Sequence, residues 1–314
     1  MQGDDDADDA SRYRKNVVRG IITNTLALLI LYAITCISSH VVLPVSMAIG
    51  IQLIFFFFHG LPFTSERYYD LSGSLTHFAV VAISLVTCPD GPSPQQTLFG
   101  LLSVVWMVRL GTFLYLRILR DGRDPRFDEL KKVKVRFLGA WTIQAVWVCL
   151  VQMPIILISS AKDTAPTGCY QINSVWLLVW LASFVFEAVA DVQKFEFRSV
   201  AANRHAFITT GLWKYSRQPN YFGEIMMWTA AAGAVSTFGA WIGNNKMHFA
   251  WLSPVITIVL LLKVSGVPML AKASEKKWGT NPEWLNYVKN TSLLVPWRPA
   301  KPLGFYSAPR SEML

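Results

Sequence analysis

Residues 17–38 read VVRGIITNTLALLILYAITCIS, and after Ser39 and His40 residues 41–58 read VVLPVSMAIGIQLIFFFF. In the whole stretch Arg19 is the only Asp, Glu, Lys or Arg. A helix needs about 20 mainly apolar residues to cross the hydrocarbon layer of a bilayer, and each block is of that order. Two such blocks set two residues apart fit a pair of membrane helices joined by a tight turn. The pattern recurs along the chain, over Ser74 to Cys88, Thr97 to Leu116, Gly139 to Ser160, Ser174 to Ala190, Phe222 to Gly243 and Phe249 to Ala271. The expected fold is an all-α polytopic transmembrane bundle of seven or eight spanning helices. The third and sixth runs are short for a full crossing and fit tilted or re-entrant segments.

Composition agrees, because 53% of the 314 residues are hydrophobic, 16% are charged, and the mean hydropathy is positive. Eight crossings with a cytoplasmic N-terminus put nearly all Lys and Arg on one side. Arg12 to Arg19, Arg67, the cluster from Arg117 to Arg136, Lys194 to Arg217 and the segment after Lys272 lie inside, against Lys162 and Lys246 outside. That asymmetry is the positive-inside pattern and predicts cytoplasmic termini. The net charge of +9 then attracts anionic headgroups or cofactor phosphates. A nucleic-acid partner is excluded, since no soluble basic face exists.

Asp4, Asp5, Asp6, Asp8 and Asp9 stand where a signal peptide would be basic, so the first span is expected to direct its own insertion. The expected organisation is a disordered acidic tail over 1–16, N-terminal membrane helices on the substrate side over 17–118, a catalytic and cofactor-binding membrane domain over 119–295, and a flexible tail over 296–314. The cysteines (Cys36, Cys88, Cys149, Cys169) and histidines (His40, His59, His77, His205, His248) lack metal-ligand spacing, so no metal is expected. Three of the cysteines fall near the non-cytoplasmic surface, where one disulfide competes with the reading of buried small hydrophobes.

Ionisable residues at membrane depth cost about 2.5 kcal/mol or more and persist mainly where function needs them. Four places qualify. Glu66-Arg67-Tyr68-Tyr69-Asp70 precedes the third span, and Arg109 begins a basic stretch that continues through Arg123. Glu187, Asp191, Lys194 and Arg198 recur at helical spacing, which puts two carboxylates and two cations on one helix face. Gly211-Leu212-Trp213-Lys214-Tyr215-Ser216-Arg217-Gln218-Pro219-Asn220-Tyr221-Phe222-Gly223-Glu224 opens the seventh span. Its Asn220 and Glu224 lie one turn apart at a helix start, where backbone N–H groups favour anionic or amide ligands.

This last stretch resembles the G-L-W-x-Y-S-R-H-P-N-Y-F-G-E signature of the DUF1295 family, a branch of the steroid 5-alpha-reductase-like membrane reductases. The resemblance extends to Tyr69 to Ser74, Arg109 to Phe113, Arg120 to Asp128 and Ser265 to Pro268, and covers the chain after about Gln52. Gln218 stands where the family usually has His. By this resemblance NADPH lies in a helical cavity open to the cytosol. Asn220 would contact the nicotinamide end with Glu224 in support, Asp191 and Arg198 would belong to the cofactor loop, and Arg123 would reach the phosphate-bearing end. Lys194, Tyr215, Arg217 and Tyr221 are the remaining cofactor candidates. Arginines suit that task through charge-assisted forks to phosphate.

On the substrate side the steroid reductases use a glutamate and a tyrosine to hold a carbonyl. Asp70 sits near the glutamate position and Trp106 near the tyrosine position, which leaves Tyr68, Tyr69 or Tyr115 to take the tyrosine's place. The implied activity is hydride transfer from NADPH to an activated C=C bond of a membrane lipid, a steroid or sterol enone or an unsaturated acyl or isoprenoid chain. Tyr69 or a protonated Asp70 would polarise the carbonyl. The resemblance implies the endoplasmic reticulum. Two readings compete: an S-adenosylmethionine-dependent methyltransferase of the isoprenylcysteine or phospholipid type, suggested by Glu275, Trp278, Gly279, Tyr287, Val295 and Pro296, and a sterol-binding protein without catalysis.

Overall fold

The computed structural model describes residues 2–299 apart from 163, 165 and 166, and its regular elements there are all helices. Among the described residues, seven stretches are long and apolar enough to cross a membrane: Asp9–Thr35, Ser39–Phe63, Tyr69–Val86, Pro94–Leu116, Lys134–Val151, Asn173–Ser199 and Asn245–Trp278. The chain is thus an all-α multi-pass membrane protein. The helices are α1 (Gln2–Thr35), α2 (Ser39–Phe55), α3 (Tyr69–Val86), α4 (Pro94–Asp121), α5 (Lys134–Val151), α6 (Met153–Ile158), α7 (Thr167–Ser199), α8 (Pro219–Trp241), α9 (Leu252–Val259), α10 (Val267–Trp278) and α11 (Pro282–Asn290).

Several boundaries differ from the sequence expectation. The acidic stretch expected as a disordered tail joins α1 from Gln2 onward. The third and sixth runs are unbroken helices, and the sixth lies within the 33-residue α7. The fifth run is cut at Gln152 into α5 and α6, where Pro154 removes the N–H that a continuous helix would need. The seventh run forms α8, which is rich in Ala, Gly, Ser and Thr and falls outside the seven apolar stretches. It buries Met227, Trp228, Ala230, Ala231, Ala232 and Ala234, so it is an interior helix of small residues. None of the four cysteines is bonded to another. The expected tail lies outside the described residues from 300 onward.

The chain divides into two compact units, Met1–Ala165 with Phe238–Leu252, and Pro166–Thr237 with Ser253–Leu314. Within the first unit α5 packs with α1 and α2.

The first unit is held by uncharged polar groups buried among apolar ones. On α1, Asn24 donates to the carbonyls of Gly20 (2.8 Å) and Val135 (2.9 Å) and accepts from Thr142 (3.0 Å). On α3, Ser72 and Thr76 face Gln52 of α2 and Gln144 of α5, with Gln52 Nε2 donating to Thr76 at 2.8 Å and Gln144 Nε2 to the Tyr69 carbonyl at 3.2 Å. Gly73 makes this approach feasible, since a Cβ there would collide with Gln144. Next to this network Phe56, Phe127, Phe137 and Trp141 form an aromatic core.

Candidate functional site

In the second unit α7 provides the frame. Its apolar side, Leu178, Leu181, Ala182, Val185, Phe186 and Val189, lines an open apolar groove. Helical spacing puts Glu187, Asp191, Lys194 and Arg198 on the other side. Gly223 of α8 lets the two helices touch there, since a Cβ would lie 2.9 Å from the Ser183 carbonyl oxygen and 2.8 Å from Glu187 Cβ. One turn along, Asn220 Nδ2 donates to Asp191 Oδ1 at 3.1 Å. The donor half of the amide is thereby committed. Its acceptor half, Oδ1, is buried with no hydrogen-bond partner among the described residues.

The segment before α8 is fixed from both sides. Gly211 takes a positive φ of 60° against the Gln193 side chain, whose Oε1 accepts the Leu212 N–H at 2.9 Å. Trp213 Nε1 donates to the Ala190 carbonyl at 3.0 Å. Beyond it the chain runs beside residues 292–297: Arg217 N–H donates to the Ser292 carbonyl (2.8 Å), Ser216 Oγ to Leu294 (2.8 Å), and Trp297 N–H to Tyr215 (2.9 Å). The Tyr287 hydroxyl closes the loop by donating to the Trp213 carbonyl at 2.7 Å.

These ties enclose a cavity of about 410 Å³ whose walls include Lys194, Arg198, Arg217 and Gln218 on one part and Phe207, Trp278, Trp284 and Tyr287 on another, with Glu275 as its carboxylate. Lys194 Nζ sits 4.5 Å from the centre of the Trp213 ring. Arg217 Nε and Gln218 Oε1 are buried without hydrogen-bond partners among the described residues. Burial pulls the Arg217 guanidinium below its ordinary value, and Tyr287 only partly compensates. Burial raises the Tyr287 hydroxyl. A half-buried cation with an unused N–H, beside a second and third cation, has the chemistry to hold an anion.

The expected cofactor residues therefore separate. Lys194, Arg198 and Arg217 meet at the cavity, Asp191 and Asn220 pair one turn away, and Tyr221 and Glu224 follow on α8 without lining it. Tyr215 is 40% exposed and stands outside the cavity wall. Arg123 belongs to the first unit, where its exposed guanidinium faces Asp128 at 3.5 Å. The motif reading missed Phe207 and Trp284, which reach the cavity from distant sequence and carry no local signal. Glu275, Trp278 and Tyr287, noted for the competing methyltransferase reading, line it too.

Tyr68, Tyr69 and Asp70 lie at the start of α3 in the first unit. Tyr68 packs on His59 with centroids 4.5 Å apart. The Tyr69 hydroxyl donates to the Ala140 carbonyl at 3.1 Å, with its ring against Phe127 and Trp141. Beside them Glu66 accepts from Lys131 Nζ at 2.6 Å and from the Asp124 N–H at 2.9 Å, while Asp124 holds Arg126 through both oxygens. Burial would raise the Glu66 carboxyl, but these hydrogen bonds outweigh it and hold the group below its ordinary value. Burial likewise lowers Arg126, yet Asp124 and then Asp70 more than offset this and hold it above its ordinary value. Among the described residues no three His, Cys, Asp or Glu side chains form a metal-binding group.

No curated protein and no solved structure matches the chain. The family described as "Protein of unknown function (DUF1295)" matches residues 55–291, about three quarters of the length, and the protein belongs to that family.

Proposed function

We propose that the protein is an NADPH-dependent reductase that acts on an activated C=C bond of a lipid within the membrane. The observation that carries this reading is the meeting of Lys194, Arg198 and Arg217 at one cavity with aromatic walls. A ligand that matches it has several negative charges and flat rings, which describes a nucleotide cofactor. The buried, unpartnered Oδ1 of Asn220 adds an acceptor suited to a carboxamide NH2. NADPH, when bound, supplies the hydride. The chain's own part is to neutralise phosphate charge with Lys194, Arg198 and Arg217, and to fix the amide of Asn220 through Asp191. Tyr69 and Asp70 keep their proposed place on the substrate side.

The methyltransferase reading gains from Glu275, Trp278 and Tyr287 on the same wall. A sulfonium cofactor is cationic, however, and three cations against one carboxylate disfavour it. The reading retains cytoplasmic termini, which require α8 as an eighth crossing, and the endoplasmic reticulum as the membrane. The test is equilibrium binding of NADPH, NADH and S-adenosylmethionine to the purified protein in lipid nanodiscs. NADPH should bind at least tenfold more tightly than the other two, and preferential binding of S-adenosylmethionine would replace this reading with its rival.

A further inference from the structure

His77 lies in the middle of α3, 2% exposed, and carries a donor with no partner among the described residues. Its Nδ1 is 3.0 Å from Gln152 Nε2. Gln152 Oε1 in turn accepts from Ser103 Oγ at 2.8 Å, so the NH2 side of the amide faces the imidazole. Nδ1 is therefore the acceptor, and the single proton of the neutral ring sits on Nε2. That Nε2 is buried with no hydrogen-bond partner among the described residues. Trp106 and Trp147 stand edge to face with the ring at 5.4 and 4.8 Å, contacts that replace only a fraction of a hydrogen bond. A chain of donors from Ser103 through Gln152 to His77 thus ends on a buried N–H within a membrane-spanning helix, where an unmet donor is costly.

The other polar groups of α3 are spoken for. The Tyr69 hydroxyl goes to Ala140, Ser72 Oγ to the Tyr69 carbonyl and Thr76 Oγ1 to the Ser72 carbonyl. We infer that His77 Nε2–H is the seat for the carbonyl oxygen of a neutral lipid held in the first unit. A carbonyl needs only donors, whereas a hydroxyl would bring a proton of its own that needs an acceptor. An anionic group is disfavoured because the groups that contact His77 are Gln and Trp, without a cation. The flanking tryptophans suit the hydrocarbon next to the carbonyl. A ring ketone and an acyl ester offer the same oxygen. The inference rests on the reading that the protein acts on a lipid and not on which cofactor serves it.

The test uses the full chain in nanodiscs with 15N-labelled histidine and no cofactor, the His77 signal being assigned by its loss in His77→Phe. An Nε2-protonated, slowly exchanging imidazole is expected. Addition of 4-cholesten-3-one or methyl oleate should move its proton downfield, while the matched hydrocarbons cholest-4-ene and octadecene should not. Whichever carbonyl lipid acts identifies the source. The parent should prefer that lipid over its hydrocarbon about fivefold, and His77→Phe should erase the preference. An unprotonated Nε2, no response to either carbonyl lipid, or an equal response to the hydrocarbons overturns the inference. If His77→Phe does not fold, His77→Gln serves for assignment and the parent spectra decide. Failure of the parent to bind NADPH in the separate assay removes the reductase reading alone.

Discussion

Apart from the ion pairs around Glu66 and Asp124, the two units bury polar groups in opposite ways. In the first, Asn24, Gln52, Ser72, Thr76 and Gln144 are uncharged and spend most of their hydrogen bonds on one another and on backbone carbonyls. In the second, Lys194, Arg198 and Arg217 are cations at a cavity, and Arg217 Nε, Gln218 Oε1 and Asn220 Oδ1 have no partner among the described residues. A satisfied uncharged network fixes helix register and asks for no ligand. Buried charge with unused hydrogen-bonding capacity is costly unless something pairs with it. His77 Nε2 is among the buried first-unit groups without a partner among the described residues.

The sharpest attempt to break this contrast is at the Asn220 and Asp191 pair. Asn220→Asp sets a second carboxylate within hydrogen-bond reach of Asp191 and removes the donor that joins them. NADPH affinity should fall about ten- to a hundredfold, as it should for Arg217→Ala, since contacts of this kind contribute about 1.5–3 kcal/mol. Wild-type affinity in both variants, measured by isothermal titration, would reduce the second unit to the same structural role as the first.

Gly73→Val tests the opposite side. Its side chain invades the space of Gln144, so thermal unfolding in nanodiscs should show a loss of about 1–3 kcal/mol from overpacking. NADPH affinity should hold at parental level. Matching losses of affinity and stability would mean that the units do not divide the labour in this way.

The Glu66 cluster gives a smaller, pH-dependent effect. The folded-state carboxyl is held below its unfolded value, so its contribution is present above the unfolded value and disappears as pH falls through the folded one. Protection of the 121–131 loop against protease should weaken below about pH 4. The weakening should vanish in Glu66→Gln, which lacks the titrating group. The smallest effect is expected for Arg123→Ala, because an exposed pair such as Arg123 with Asp128 contributes about 1 kcal/mol or less. A loss of NADPH affinity as large as that of Arg217→Ala would return Arg123 to the phosphate site.

The spans were legible wherever a run was strongly apolar, because hydropathy alone decides whether a helix tolerates lipid. The interruptions were harder. Gln152 ends α5 inside a run that reads as continuous, and the small residues of α8 give no sign in sequence of how much packing surface they form. The cationic half of the cavity was written locally, in the four-residue spacing of Lys194 and Arg198 and in the motif that holds Arg217. Its aromatic half was not, since Phe207, Trp278 and Trp284 meet only through tertiary folding. His77 was unreadable for the same reason: its tautomer is set by Gln152, 75 positions away.

The backbone pairing of Arg217 with Ser292 and of Tyr215 with Trp297 also sets a timetable. A ribosome that has just made Arg217 must add about 75 more residues before Ser292 exists to meet it. At 5–20 residues per second this takes roughly 4–15 s. During that interval α7 is complete while the cationic wall lacks its opposite side. A nascent chain arrested shortly after Arg217 would therefore carry its first six apolar stretches and lack Trp278, Trp284 and Tyr287 of the wall, so the cavity reports on the completion of synthesis through this segment and not on insertion.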